Sequence, residues 1–310
     1  MDGWRAGNRN IELIGTPFNS AGTTDGVARA PGALRRGGLI EAIVAAGCGV
    51  IDRGDVAVPP LSPVRDPDTH VIAAEALAAM TRSVRRAVEV SLESRRFPLV
   101  LGGDCPVLIG CVAAIADTQL PGLLFVDGHE DAWPADRSTT GEAADMELGW
   151  LLGRGVEDLP SALRDQIPRP APDRVLVLGP RDAAELAEAE VESIEGLVRV
   201  VRPPAITGDP TSVAESAVSV LDGRGPWWLH VDLDVLSTES LAAVDYQQEG
   251  GLDWHVLTEL TRRSLASPNV VGWTVTIYNP DLDPAGKDAA RIVRFIVDAL
   301  GSDGEALTRS

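Results

Sequence analysis

The sequence is short of aromatic side chains, of positive charge and of cysteine, and each shortage narrows what it can be. Aromatic residues make up 4% of the 310 positions, so the interior must be filled by Ala, Val, Leu and Ile. Lys and Arg number 27 against 46 Asp and Glu, a net charge of −19. That balance argues against a nucleic-acid partner or an anionic membrane surface, because phosphate recognition needs clustered cations. The three cysteines, Cys48, Cys105 and Cys111, make no C-x-x-C pair and no disulfide framework. No run approaches the roughly 20 apolar residues that span a bilayer. The opening Met1-Asp2-Gly3-Trp4-Arg5 has no basic segment followed by an apolar run, so no signal peptide is read there. The expectation is a cytoplasmic protein without a membrane or nucleic-acid partner.

What is present is a regular alternation. Short continuous Val/Ile/Leu runs at 11–14, 98–101, 123–126, 175–178, 197–201, 227–232 and 270–277 read as strands covered on both faces. Helical patterns separate them, a long one over 68–96 and a last one over 289–300. Pro-rich stretches at 59–68 and 201–211 read as loops rather than boundaries, and 301–310 as a loose tail. Strand–helix alternation predicts an α/β protein, a three-layer αβα sandwich around a mainly parallel sheet of about eight strands, in a single domain over 1–310.

In such sheets chemistry gathers beyond the carboxyl ends of the strands. Three predicted strands end in polar clusters: Gly102-Gly103-Asp104-Cys105, Asp127-Gly128-His129-Glu130-Asp131 and His230-Val231-Asp232-Leu233-Asp234. A spacing of two places Asp127, His129 and Asp131 on one side of an extended segment, and likewise Asp232 and Asp234. Carboxylate-rich sets with one imidazole suit a divalent ion such as Mn²⁺. An acidic cap on the following helix is the alternative for either cluster alone.

At these residues the chain resembles the ureohydrolases, the family of arginase, agmatinase and formiminoglutamase. The family's G-G-D-H, D-A-H-x-D and S-x-D-x-D motifs correspond to Gly102 to Cys105, Asp127 to Asp131 and His230 to Asp234. Gly250-Gly251-Leu252, Asn279-Pro280, Gly15-Thr16-Pro17 and Ala30-Pro31 ahead of Arg35 and Arg36 follow in the family's order. The resemblance implies an arginase-like fold, two Mn²⁺ ions and a trimer or hexamer. It also implies that Asp127 and Asp232 bridge the ions, that His129 and Asp234 bind one of them, and that Asp131 with position 105 binds the other. Paired cations lower the pKa of water and make a nucleophile at neutral pH, and Asp131 would also orient it.

The departures are as informative. Cys105 stands where the family has His; a thiolate suits Zn²⁺ or Fe²⁺ better than Mn²⁺, and a small buried residue is the alternative. His230 replaces a Ser, on the face of Asp232 and Asp234, where it would act as a ligand, a proton donor or a packed strand histidine. The family's mobile His aligns with Ala144, leaving Glu142 and Asp145 as candidates for acid–base work or as helix caps. The Glu that grips the guanidinium aligns with Val256, and the Asp-Pro after the second Asp pair with Ser237-Thr238. The expectation is a metal-dependent hydrolase of a C–N bond in a modified guanidino, amidino, ureido or amide small molecule (an N-hydroxyguanidino compound, for example) and not of arginine or agmatine. A catalytically silent protein that scaffolds or regulates a partner, or a metal enzyme of another reaction type, are the alternatives.

Overall fold

Apolar runs that must be covered on both faces have one economical solution, a parallel sheet with helices above and below. The computed structural model describes residues 10–116 and 121–301 and shows that solution. Eight strands, β1 (Asn10–Thr16), β2 (Gly49–Asp55), β3 (Phe97–Gly102), β4 (Gly122–Val126), β5 (Val175–Leu178), β6 (Arg199–Val201), β7 (Trp227–Asp232) and β8 (Val270–Thr276), form one sheet in the order β2-β1-β3-β8-β7-β4-β5-β6. Every pairing is parallel. The tail expected beyond 301 lies outside the described residues.

The central strands β3, β4 and β7 are buried at every position, and their alternation sorts side chains between two cores. Leu99, Leu101, Leu124, Val126, Leu229 and Val231 join the core on one face. Val100, Leu123, Phe125 and Trp228 join the core on the other. Trp228 lies against a strand position without a side chain: a Cβ on Gly272 would stand 2.1 Å from its ring. The indole Nε1 donates to Thr274 Oγ1 at 2.6 Å.

Three expectations are corrected. β2 was not foreseen as a strand, because its sequence Gly-Val-Ile-Asp-Arg-Gly-Asp carries no apolar run. It is an edge strand, mostly exposed, and Arg35 holds it through Asp52 and Asp55. The helix expected over 68–96 is Ala74–Glu93; the residues before it form a turn closed by a bridge between Arg65 and Ile72. The stretch 201–211, expected as a loop, contains the helix Pro203–Gly208 and the start of Pro210–Asp222, both using Pro within the first turn, where its missing N–H is no loss.

The chain leaves β3 for β4 across the places later filled by β8 and β7. Loops on the two sides of that gap diverge, which opens a crevice at the carboxyl ends of the middle strands.

Candidate functional site

The two acidic motifs leave their strands by the same local device. Asp127 Oδ1 accepts the backbone N–H of His129 at 2.8 Å, and Asp232 Oδ1 accepts that of Asp234 at 2.9 Å. An Asp that binds the backbone two residues on closes a tight turn. The segment after β4 is therefore a bend, and Asp234 lies in a 3₁₀ turn, Leu233–Val235. The extended geometry expected from spacing is not what aligns these side chains; the turns are. Asp131 follows at φ 40°, in the left-handed region, a costly conformation for a non-glycine residue.

The turns bring the two clusters into contact. His129 Nδ1 lies 2.9 Å from Asp234 Oδ2 and 3.7 Å from Asp127 Oδ1. Asp234 Oδ1 accepts the N–H of Gly128 at 3.0 Å. Asp232 Oδ2 accepts the hydroxyl of Thr276, at the end of β8, at 2.8 Å. Donor atoms of Asp127, His129 and Asp131 lie within 4.8 Å of one another, as do those of Asp127, His230 and Asp232. Glu130 points elsewhere: its carboxylate accepts from Ser193 Oγ and the N–H of Ile194.

Burial raises the carboxyl of Asp127 to about 7, with repulsion from Asp234 adding to it. Burial and then Asp127 raise Asp131, and burial and then Asp234 raise Asp232, both well above the usual range. Against burial, which favours the neutral ring, Asp234 and Asp127 hold His129 protonated well above its ordinary value. So many buried carboxyls cannot all ionise together without a cation among them. Asp127 Oδ2, buried without a hydrogen-bond partner among the described residues, is an acceptor with nothing to accept. The donor set therefore fits a hard or borderline divalent cation.

Above the cluster lies a cleft of about 200 Å³. Asp131, His129 and Asp234 reach its floor, with Cys105, Ala144 and Ile277 beside them. Asp145, Glu185, Trp133 and Tyr246 stand on its walls, and among the described residues no Lys or Arg lines it. Ile277, like Asp131, has positive φ, 71°.

The other candidates fall into place around it. Cys105 is buried; its thiol points to the carbonyl of Ala144 at 3.7 Å and to Asp104 Oδ1 at 3.6 Å. Asp145 accepts the hydroxyls of Ser138 and Thr140. Glu142 does not cap a helix through its side chain. It shares a hydrogen bond with Tyr246, and burial, with Asp104 and Asp145 nearby, lifts it to about 7. His230 does not line the cleft. It is fully buried, stacked on Phe125 with ring centroids 5.0 Å apart, and burial lowers it to about 3, which favours the neutral ring of a packed strand histidine. Val256 is not on the cleft wall either. It sits in the first turn of Trp254–Leu265, in the core at 5% exposure.

Sequence reasoning missed Glu147, Thr276 and Glu185. Only Glu147 left a signal: it is a single charge inside the apolar run Met146-Glu147-Leu148-Gly149-Trp150-Leu151-Leu152, where an unpaired carboxylate is costly. Glu185 lies in the helix Ala183–Glu188 and Thr276 at the end of β8, and each acquires meaning only once the fold places it.

Comparison with known proteins agrees with the fold. The arginase of Bacillus caldovelox is 27% identical over 295 residues, covering 94% of this chain and 98% of the other. That of Bacillus subtilis (strain 168) is 26% identical, covering 95% and 98%. The native structure of the Bacillus caldovelox arginase at pH 5.6 superposes with a TM-score of 0.82 at 25% identity, covering 96% of this chain and 100% of that one. Proclavaminate amidino hydrolase from Streptomyces clavuligerus shares the fold, with a TM-score of 0.65 at 20% identity and coverage of 94% and 90%. The model of the arginase family matches residues 9–301, and the chain belongs to that family.

Proposed function

We propose that this protein is a metal-dependent hydrolase of a linear C–N bond in a modified guanidino, amidino, ureido or amide small molecule. The observation that supports it most is the gathering of Asp127, His129, Asp131, Asp232 and Asp234 into one cluster, of which His129, Asp131 and Asp234 line the cleft. These five would hold the cation, Mn²⁺ by the oxygen-rich character of the set. When bound, paired divalent ions make water nucleophilic at neutral pH and stabilise charge that develops on the group attacked.

The chain's own residues do the rest. Thr276 fixes the Asp232 carboxylate through its hydroxyl, and Asp234 fixes the His129 ring through Nδ1. Either ring nitrogen can ligate only when it carries no proton, so His129 would have to give one up to hold a cation. Glu142 holds a proton near neutrality and is joined to Tyr246, whose ring lines the cleft. Tyr246 Oη is the atom through which that proton would pass to a departing amine.

The cleft also argues against arginine. Asp145 and Glu185 stand on its walls, with no Lys or Arg among the described lining residues to receive a carboxylate, so an α-amino acid would bring its anion into a negative field. A substrate with a cationic or neutral tail suits it better. No helix among the described residues is long and apolar enough to cross a membrane, and the cleft is sized for a small molecule.

The test is steady-state turnover by Mn²⁺-loaded protein of a panel of guanidino, N-hydroxyguanidino and ureido compounds, with and without a carboxylate. Hydrolysis of a member lacking the carboxylate, with arginine idle, supports the reading. Turnover of arginine above about 10 s⁻¹, typical of metabolic enzymes, overturns the substrate assignment. A fully loaded protein that turns over nothing favours a silent scaffold.

A further inference from the structure

Glu147 is the first residue of the helix Glu147–Leu151, is 0% exposed, and has no hydrogen-bond partner among the described residues for either carboxylate oxygen. A carboxylate removed from water in this way is among the costliest groups a fold can bury. Its neighbours are another acid and a thiol: its donor atom lies within 4.8 Å of those of Asp131 and Cys105. Two carboxylates can face each other at that range only across a shared proton or a cation.

The chain is built to keep it there. Gly149 N–H donates to the carbonyl of Asp131 at 2.9 Å, and Trp133 N–H to that of Asp145 at 2.9 Å, so the helix start is stitched to the Asp131 loop. A Cβ on Gly149 would stand 2.9 Å from Ala132 Cα; the missing side chain lets helix and loop approach closely enough for Glu147 to reach Asp131. Cys105 is committed otherwise, its thiol hydrogen directed at the Ala144 carbonyl or the Asp104 carboxylate.

We propose that Glu147 is a metal-binding carboxylate, and that Glu147 and Asp131 supply the oxygen donors for one divalent cation while Cys105 stays a thiol. This position differs in its donors from the one framed by Asp127, His129 and Asp131, and Asp131 belongs to both. The choice of donor sets the choice of ion. With Glu147 as ligand the position is oxygen-rich and takes Mn²⁺; with Cys105 as ligand it would be thiolate-bearing and take Zn²⁺.

The inference rests on the reading that the cluster binds cations, and the experiment separates the two. Protein stripped by chelation is reloaded with Mn²⁺, dialysed, and its bound metal counted, for wild type, Glu147→Gln, Cys105→Ser and Asp232→Ala. Glu147→Gln should lose one equivalent relative to wild type, or bind that ion about 100-fold more weakly or worse, while Cys105→Ser keeps it. Without metal, Glu147→Gln should melt no lower than wild type, since an amide replaces a buried unpaired carboxylate, and its Tm should rise less on adding Mn²⁺. Wild type loaded with Co²⁺ should show no thiolate-to-cobalt charge-transfer band. Equal metal content and affinity in Glu147→Gln and wild type overturn the proposal alone. A thiolate band lost in Cys105→Ser also overturns it, by giving the donor role to sulfur. A wild type that takes up no Mn²⁺ overturns both this proposal and the metal reading beneath it.

Discussion

His129 Nδ1 and Asp234 Oδ2 stand 2.9 Å apart, joining a turn that follows β4 to a turn that follows β7. The two strands are neighbours in space though about 100 residues separate them in sequence, as the pairing of Phe125 with His230 shows. Each turn is closed by its own leading Asp, so this contact registers two preformed pieces rather than ordering a loose loop.

From that arrangement Asp232→Ala should lose Mn²⁺. The variant removes a fully buried carboxylate that Thr276 and the Asp234 N–H both orient. Metal content after dialysis with Mn²⁺ is the measurement, with far-ultraviolet circular dichroism as the check on folding. Content equal to that of wild type would remove Asp232 from the ligand set.

Val256→Glu should destabilise the protein by about 3 kcal/mol or more, because it places an unpaired carboxyl in a core position. Alignment with a substrate-gripping Glu suggests the opposite, a gain in guanidinium binding. Chemical denaturation together with calorimetric titration of a guanidino compound decides between them. A well-folded variant with tighter binding would show that the first turn of Trp254–Leu265 faces the cleft.

Glu142 gives a pH signature in the metal-free protein. Its folded pKa is raised from 4.5 to about 7, so between those values the folded chain holds a proton that the unfolded chain has released. Stability from this group therefore falls as pH rises from 4.5 towards 7. Glu142→Gln should narrow the gap, raising Tm relative to wild type at pH 8 and leaving the difference smaller at pH 5. A Tm difference that does not vary with pH would show that Glu142 titrates normally.

Gly272→Ala should cost about 1–3 kcal/mol, the usual penalty for forcing a methyl into a packed core. The new methyl meets the Trp228 ring at 2.1 Å, and a shift of that ring breaks its bond to Thr274. Urea denaturation followed by tryptophan fluorescence reads both the loss and the movement. Unchanged stability would mean that Trp228 has room to relax.

Much of this was legible in the sequence because the middle of the sheet is written in continuous apolar runs. The runs around Leu99, Leu124, Leu229 and Val275 announced themselves, and the polar residues that end three of them marked the crevice. β2 was invisible for the complementary reason: an edge strand needs no apolar run, and Asp52 and Asp55 are fixed by Arg35 from a helix that alignment of patterns does not connect to them. The position of Val256 was beyond reach as well, since a residue just after an N-cap can face either core or cleft, and only the helix orientation set by Leu257 and Leu260 decides it. The Asp127 to Asp131 segment was recognised for its chemistry and misjudged in its geometry, because short Asx turns align side chains as effectively as an extended strand does.

The crowd of carboxyls under the cleft has a consequence outside catalysis. If those groups hold cations as proposed, the ion is also a folding ligand, and at a free concentration 100 times its Kd it adds about 2.7 kcal/mol to the native state. A change of that size alters the fraction of molecules open to proteases by about a hundredfold. Cells starved of the metal would then lose this protein through faster degradation while its synthesis continued, and a pulse-chase in depleted and replete medium would show two half-lives for one sequence.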